Sequence, residues 1–96
     1  MARWVLSEAA AQDLERLTDF LLQGMPEEAI RTVDLVVDAL HILEQHPQIG
    51  RMLGLGLREL VISRGKTGYL ALYEYDETSD LVIVLAVRHQ REQDYH

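Results

Sequence analysis

The sequence predicts an α+β domain in the order β-α-α-β-β-β, with an N-terminal strand and a helical hairpin packed on one face of a mainly antiparallel sheet. Its 96 residues suit one domain, since domains typically run to about 100–150 residues. Apolar residues recur at helical spacing over 8–45, and three short strand-like runs follow over 57–87. With 48% hydrophobic and 26% charged residues the chain has an ordinary globular composition. We therefore predict a single domain spanning 1–96.

The first strand and first helix are predicted from the N-terminal residues. Arg3-Trp4-Val5-Leu6 is a short run with β-branched and aromatic side chains, and it ends at Ser7, a favoured N-cap residue. Gly24 is predicted to follow the helix as its C′ residue. The apolar stripe of this helix is spaced by four, three and four residues and consists of Ala10, Leu14, Leu17 and Leu21.

The second helix is predicted to begin at Pro26 and to run to about Gln45. Proline suits the first helical turn, whereas His46-Pro47 ends the helix because the residue before proline is disfavoured in helical conformation. The short joint at Gly24 makes the two helices antiparallel neighbours. The predicted apolar stripe comprises Ala29, Val33, Val36, Leu40 and Leu43, widened by Ile30 and Val37.

The second half of the chain is predicted to form a three-stranded meander. Runs over 57–63, 69–76 and 81–87 are separated by short turns. The last run is apolar at every position, which is typical of a strand covered on both faces. The first strand is expected at a sheet edge or paired with a later strand. Residues 50–56 are predicted as a glycine-spaced loop whose Met52, Leu53 and Leu55 fold back on the core.

The charge distribution bears on the class of partner. Residues 1–50 hold nine acidic and three basic side chains, a net of −6, and residues 51–96 hold seven and six, a net of −1, giving −7 in total. This balance argues against nucleic-acid binding through the overall field, although six of nine basic residues lie in the sheet half. The absence of cysteine excludes disulfides, a thiol nucleophile and thiolate metal sites. Without a signal-type or membrane-spanning run, the expected compartment is the cytoplasm.

The end of the last strand holds the residues best suited to chemistry. A histidine moves protons near neutral pH and guanidinium groups neutralise a phosphate, so RNA cleavage is one hypothesis. The alternative is a solvated strand end or a patch that pairs with a partner's carboxylates. Alternation places Arg58 on one strand face with Leu60 and Ile62, as a rim residue or a buried anion contact. The candidates at the strand end are Arg88, His89, Gln90, Arg91 and Tyr95.

A row of tyrosines is predicted on one face of the middle strand. Tyr69, Ala71, Tyr73 and Tyr75 share that face by alternation. Such a row can stack bases, but sheet packing or a protein interface is the favoured interpretation. His41 and His46 have poor spacing for a shared metal ion, and no other set has convincing ligand spacing.

Six segments together resemble the RelE/ParE superfamily of type II toxins, in the family's order and over nearly the whole chain. They are Ser7-Glu8-Ala9-Ala10, Asp13-Leu14, His46-Pro47, Gly56-Leu57-Arg58-Glu59-Leu60, the pair Tyr69 and Tyr73, and Val87-Arg88-His89-Gln90-Arg91-Glu92. The resemblance implies a bacterial toxin without cofactor or metal, held inactive in a hetero-oligomer by an antitoxin encoded beside it. Such antitoxins often carry a ribbon-helix-helix DNA-binding module and lay a tail over the toxin.

The resemblance implies two possible activities, inhibition of DNA gyrase by ParE-like members or cleavage of mRNA on the ribosome by RelE-like members. One lysine and an acidic pI near 4.9 favour the ParE-like, protein-directed activity, in which no residue is catalytic. A nuclease would use Arg58, Arg88, His89, Arg91 and Tyr95. A non-toxic relic that still binds antitoxin is the third possibility. The residues expected to bind antitoxin or target are Arg58, Leu60, Ile62, Tyr69, Tyr73, His89 and Arg91.

Overall fold

The computed structural model describes residues 1–64 and 67–90, and these form two helices and one sheet. The predicted α+β class and order of elements are confirmed, with one additional strand. The elements are β1 (Arg3–Leu6), α1 (Glu8–Gly24), α2 (Pro26–Gln45), β2 (Arg51–Gly54), β3 (Leu57–Arg64), β4 (Thr67–Asp76) and β5 (Leu81–His89).

The five strands form a mixed sheet in the order β1-β5-β4-β3-β2. Strands β2 to β5 are a continuous antiparallel meander, whereas β1 lies at the edge and pairs parallel with β5, from Arg3 opposite Leu81 to Leu6 opposite Val84. The first strand thus takes the edge position predicted for it and also pairs with a later strand. The first and last strands of the described residues are therefore neighbours in the sheet.

Both helices pack on one face of the sheet and enclose the core. Helix α1 begins at the predicted cap, where the backbone N–H of Ala10 donates to Ser7 Oγ at 3.0 Å. Neither helix is long and apolar enough to cross a membrane in the described part of the chain. The buried core cluster consists of Ala2, Ala10, Leu17, Val36, Ala39, Leu40, Leu43, Ile62, Tyr69, Ala71, Tyr73, Val82, Val84 and Val87.

Two details of the helical hairpin differ from the prediction. Gly24 is the last helical residue rather than a residue beyond the helix, and Met25 joins α1 to α2. The buried stripe of α2 is rotated, because Thr32 and Ala39 face the core while Ile30 and Val33 are exposed. Burial of Thr32 is tolerable since its hydroxyl has a polar neighbour, the Tyr69 hydroxyl at 3.4 Å.

The segment predicted to fold back on the core is an exposed edge strand instead. All four residues of β2 are exposed, and Met52, Leu53 and Leu55 point away from the core. The backbone is left-handed at three successive residues, with φ of 97° at Gly54, 55° at Leu55 and 76° at Gly56. This conformation suits glycine but costs a leucine about 1–2 kcal/mol.

Strand β5 alternates in burial, contrary to the prediction of two covered faces. Val82, Val84 and Val87 are buried, whereas the intervening Ile83 and Leu85 are half-buried. A register shift opposite Leu72 and Tyr73 inserts one extra residue into β5, which changes the phase of its alternation. The shift explains why Val87, three residues after Val84, returns to the core.

Candidate functional site

The end of β5 meets the beginning of β4, and it holds one of the predicted reactive groups. His89 pairs with Tyr69 in the sheet, and their rings meet edge-on with centroids 5.3 Å apart. The Tyr69 hydroxyl in turn reaches Thr32 of α2. His89 is half-buried at the rim of the core, with its ring orientation set by an aromatic neighbour.

Asp13 of α1 organises the same end of β5. Its carboxylate accepts a hydrogen bond from the backbone N–H of Val87 at 3.0 Å and forms an ion pair with the Arg88 guanidinium. Arg16 Nη1 also lies 3.4 Å from Asp13 Oδ1. The Arg88 side chain is only 12% exposed. Its charge is thus compensated by a buried carboxylate within the fold.

Arg58 lies in a second polar cluster at the other end of the sheet. Its Nη1 donates to the carbonyl oxygens of Gln48 and Gly50, each at 2.9 Å, and the Gly50 N–H donates to the Tyr73 hydroxyl at 2.8 Å. Burial raises the pKa of Tyr73, while the Gly50 hydrogen bond and the Arg58 charge oppose that rise. Arg58 therefore holds the chain that leads into β2.

The predicted nuclease residues do not converge in the part of the structure that is described. Arg58 pairs with Tyr73 and His89 with Tyr69, and these positions are four residues apart on β4, about 13 Å at 3.3 Å per residue. Arg88 lies beside Val87 with its charge turned to α1. Arg91 and Tyr95 lie outside the described residues.

The predicted binding residues are divided between core and surface. Ile62, Tyr69 and Tyr73 are buried beneath the helices, and Leu60 is half-buried on the same face. The tyrosine row therefore packs in the core, where its rings offer no free face to a nucleic-acid base. An antitoxin tail on the other face of the sheet would not touch Leu60 or Ile62.

The opposite sheet face carries apolar side chains that sequence reasoning did not single out as a set. Alternation and register place Val61 beside Leu70, and Val5 beside Ile83, with Leu72 between these pairs. All five are half-buried or exposed. We call Val5, Val61, Leu70, Leu72 and Ile83 the open face, because both described helices lie on the other side.

Asp13 was named only within the family resemblance, and its burial against β5 was missed, although the sequence holds a signal for it. It falls three residues after Ala10 and four before Leu17, inside the apolar stripe of α1. An acidic side chain at such a position must find a partner when the helix packs. The partner, 74 residues away, was not visible from local pattern.

The histidines near the end of α2 have neighbours of their own. His41 Nδ1 lies 2.9 Å from Glu44 Oε1, which also accepts a hydrogen bond from the Trp4 indole. His46 follows the helix as its C-cap residue. Over residues 1–64 and 67–90 no group of three or more histidine, aspartate or glutamate side chains is arranged to hold a metal ion.

Comparison with known proteins assigns the family. The family described as ParE toxin of type II toxin-antitoxin system, parDE, matches residues 5–94. The chain belongs to the RelE/ParE superfamily of type II toxins. Toxin RelE3 of Caulobacter vibrioides is 34% identical to this toxin over 87 residues, which cover 91% of this chain and 92% of the relative.

Solved structures show the same fold. The toxin resembles a chain of the chromosomal ParDE system from P. aeruginosa with a TM-score of 0.74 and 22% identity, covering 93% of this chain and 96% of that one. It resembles a chain of the intact E. coli RelBE toxin-antitoxin complex with a TM-score of 0.64 and 15% identity, covering 92% and 95%. The superfamily fold predicted from the sequence is thereby confirmed.

Proposed function

We propose that this toxin acts as a ParE-like inhibitor of DNA gyrase and that a cognate antitoxin neutralises it in the cytoplasm. The observation that carries the proposal is the Asp13–Arg88 ion pair. A nuclease needs its arginines available to the scissile phosphate, whereas Arg88 is largely buried and already compensated. Recruiting it for RNA would take from the buried Asp13 carboxylate its buried ionic partner and leave the Val87 N–H and the more exposed Arg16 to compensate it, which is unfavourable.

The surroundings of Arg58 and the charge of the chain support the same proposal. Arg58 Nη1 donates to two backbone carbonyls, so its position is already determined by the fold. The net charge of −7 repels nucleic acid at long range. Binding to a protein target requires neither a free phosphate-binding arginine nor a basic surface.

A supercoiling assay tests the proposal directly. Purified toxin is expected to inhibit supercoiling by gyrase or to trap cleaved DNA, and antitoxin added in equimolar amount should restore activity. A topoisomerase that does not belong to the gyrase class serves as the control enzyme. Full gyrase activity at toxin excess, together with mRNA cut on translating ribosomes, would overturn it.

The runner-up is a RelE-like ribosome-dependent mRNA endonuclease. It is favoured by the name of the Caulobacter relative and by the position of His89 at the strand end. In that case His89→Ala and Arg91→Ala abolish mRNA cutting while antitoxin binding survives. A non-toxic, antitoxin-binding relic instead predicts that induction of the wild-type chain leaves growth unchanged.

We propose that the antitoxin tail covers the open face. This face presents five apolar side chains on the side opposite the helices, which suits an extended or helical apolar segment. The tail would thus contact Leu72 and Ile83 in place of Leu60 and Ile62.

Two charge-introducing variants distinguish this surface from the helices. Leu72→Glu on the open face is expected to weaken the toxin–antitoxin complex, whereas Phe20→Glu, at an exposed position of α1, leaves the affinity unchanged. The reverse result would place the tail along the helices. Circular dichroism of each free variant controls for folding.

A further inference from the structure

We infer that the β2–β3 turn, residues 54–56, is a target-binding tip that inserts Leu55 into an apolar pocket of a folded protein target. The inference rests on the proposed protein-directed function and names the surface that would perform it. It concerns neither the open face nor the end of β5. Leu55 lies on the turn at the far edge of the sheet, where β2 is the last strand.

The tip is apolar and almost fully exposed. Leu55 is 99% exposed, and Met52 and Ile49 nearby are also largely exposed. A single exposed leucine is ordinary on a protein surface, but a run of exposed apolar side chains is typical of an interaction site. Folding of the described chain does not use these side chains.

The backbone conformation at Leu55 supports a binding role for this side chain. Leu55 adopts φ of 55° between two left-handed glycines, a position where glycine or asparagine would fit without strain. Apart from the glycine and its two chain neighbours, no described atom lies within 4 Å of the position that a Cβ would take at Gly54 or Gly56. The turn therefore projects one leucine from a narrow base with open space on both sides, in a conformation that leucine disfavours.

The shape and charge of the tip indicate which class of partner binds it. A convex leucine needs a concave apolar pocket, which a folded protein has and an extended antitoxin tail does not. RNA is disfavoured because the cations nearest the tip already have partners: Arg51 pairs with Glu59, and Arg58 donates to the Gln48 and Gly50 carbonyls. A second copy is disfavoured since each carries a net charge of −7. A folded protein target remains as the partner.

Leu55→Asn tests the tip, because asparagine tolerates the left-handed conformation and removes the apolar side chain. Leu22→Gln, which removes an exposed leucine from α1, is the matched control. Leu55→Asn is expected to raise the toxin concentration that half-inhibits gyrase by about tenfold or more, the effect of withdrawing one buried leucine. At an induction level at which the wild type arrests growth, Leu55→Asn should allow growth. Its thermal midpoint should be no lower than that of the wild type, and its antitoxin affinity should be unchanged.

Three outcomes would overturn the inference: gyrase inhibition by Leu55→Asn equal to wild type, loss of antitoxin affinity in this variant, or a wild-type dimer that Leu55→Asn dissociates. Failure of the proposed gyrase inhibition can be distinguished from failure of this inference, since the wild-type toxin would then leave gyrase active while still arresting growth. In that case growth arrest in cells, rather than gyrase inhibition, tests the role of Leu55. Relief of arrest by Leu55→Asn but not Leu22→Gln upholds the tip against another protein target, and unchanged arrest rejects it. A wild-type chain that arrests no growth rejects both proposals.

Discussion

The Asp13 carboxylate in α1 accepts the backbone N–H of Val87 in β5 at 3.0 Å, across 74 residues of sequence. Strand β1 pairs with β5 as far as Val84, and beyond that point the edge of β5 faces α1. Ser7 Oγ donates to the Leu85 carbonyl at 3.3 Å at the same edge. Helix α1 thus supplies the polar partners that a neighbouring strand would otherwise provide.

Asp13→Ala is expected to destabilise the toxin by about 3 kcal/mol, because it removes the acceptor of the Val87 N–H and the carboxylate that compensates the buried Arg88 charge. Asp13→Asn retains an acceptor for the N–H and should cost less. Urea unfolding followed by circular dichroism measures both. Asp19→Ala, at an exposed position of the same helix, should change stability by no more than about 0.5 kcal/mol. An Asp13→Ala variant as stable as Asp19→Ala would contradict this account.

Two glycine-to-alanine changes are expected to have opposite signs. A Cβ at Gly50 would lie 2.6 Å from the Tyr73 ring, so Gly50→Ala should destabilise by about 1–3 kcal/mol through overpacking. At Gly24, the last residue of α1, nothing lies within 4 Å, and alanine should stabilise by about 0.4–1 kcal/mol. Thermal unfolding of the pair at equal concentration tests the difference, and a common sign would refute the described packing.

Tyr75 should make stability depend on pH in the alkaline range. Its hydroxyl donates to Asp80 at 2.5 Å, and this hydrogen bond is the main cause that raises the pKa of Tyr75 to about 12. An unfolded tyrosine ionises near pH 10. The contribution of Tyr75 is therefore present below pH 10 and is lost as the pH rises towards 12. Tyr75→Phe should flatten the decline of the urea midpoint over this interval, and an unchanged slope would count against the contact.

Relief of left-handed strain should make Leu55→Asn more stable than wild type by roughly 1 kcal/mol. Leu55→Ala also removes the exposed side chain but keeps a Cβ residue that disfavours the same φ. It should therefore show no comparable gain. Equal stability of the two variants, measured by chemical denaturation, would show that the turn relaxes in solution.

Local pattern was sufficient for the elements that have strong start and stop signals. Ser7 begins α1, Pro26 begins α2, and His46-Pro47 ends it, because caps and prolines act through neighbouring backbone groups. The buried side of α2 was less predictable. Thr32 is polar by itself, and its burial depends on Tyr69, 37 residues away.

The candidate site shows the same limit. Alternation correctly grouped Tyr69, Ala71 and Tyr73, since the period of a strand determines which side chains share a face. It did not tell which face the helices would cover. Apolar spacing suggested that residues 50–56 are buried, but β2 is an edge strand whose apolar side chains receive no covering helix in the described structure.

The parallel pairing of β1 with β5 has a consequence for synthesis of the toxin. The ribosome makes β1 long before its partner residues 81–84, since Arg3 pairs with Leu81, 78 residues further along the chain. The sheet order places β5 between β1 and β4, so β1 stays unpaired until β5 has been made. We therefore expect a translation product that stops before β5 to be unable to complete the sheet.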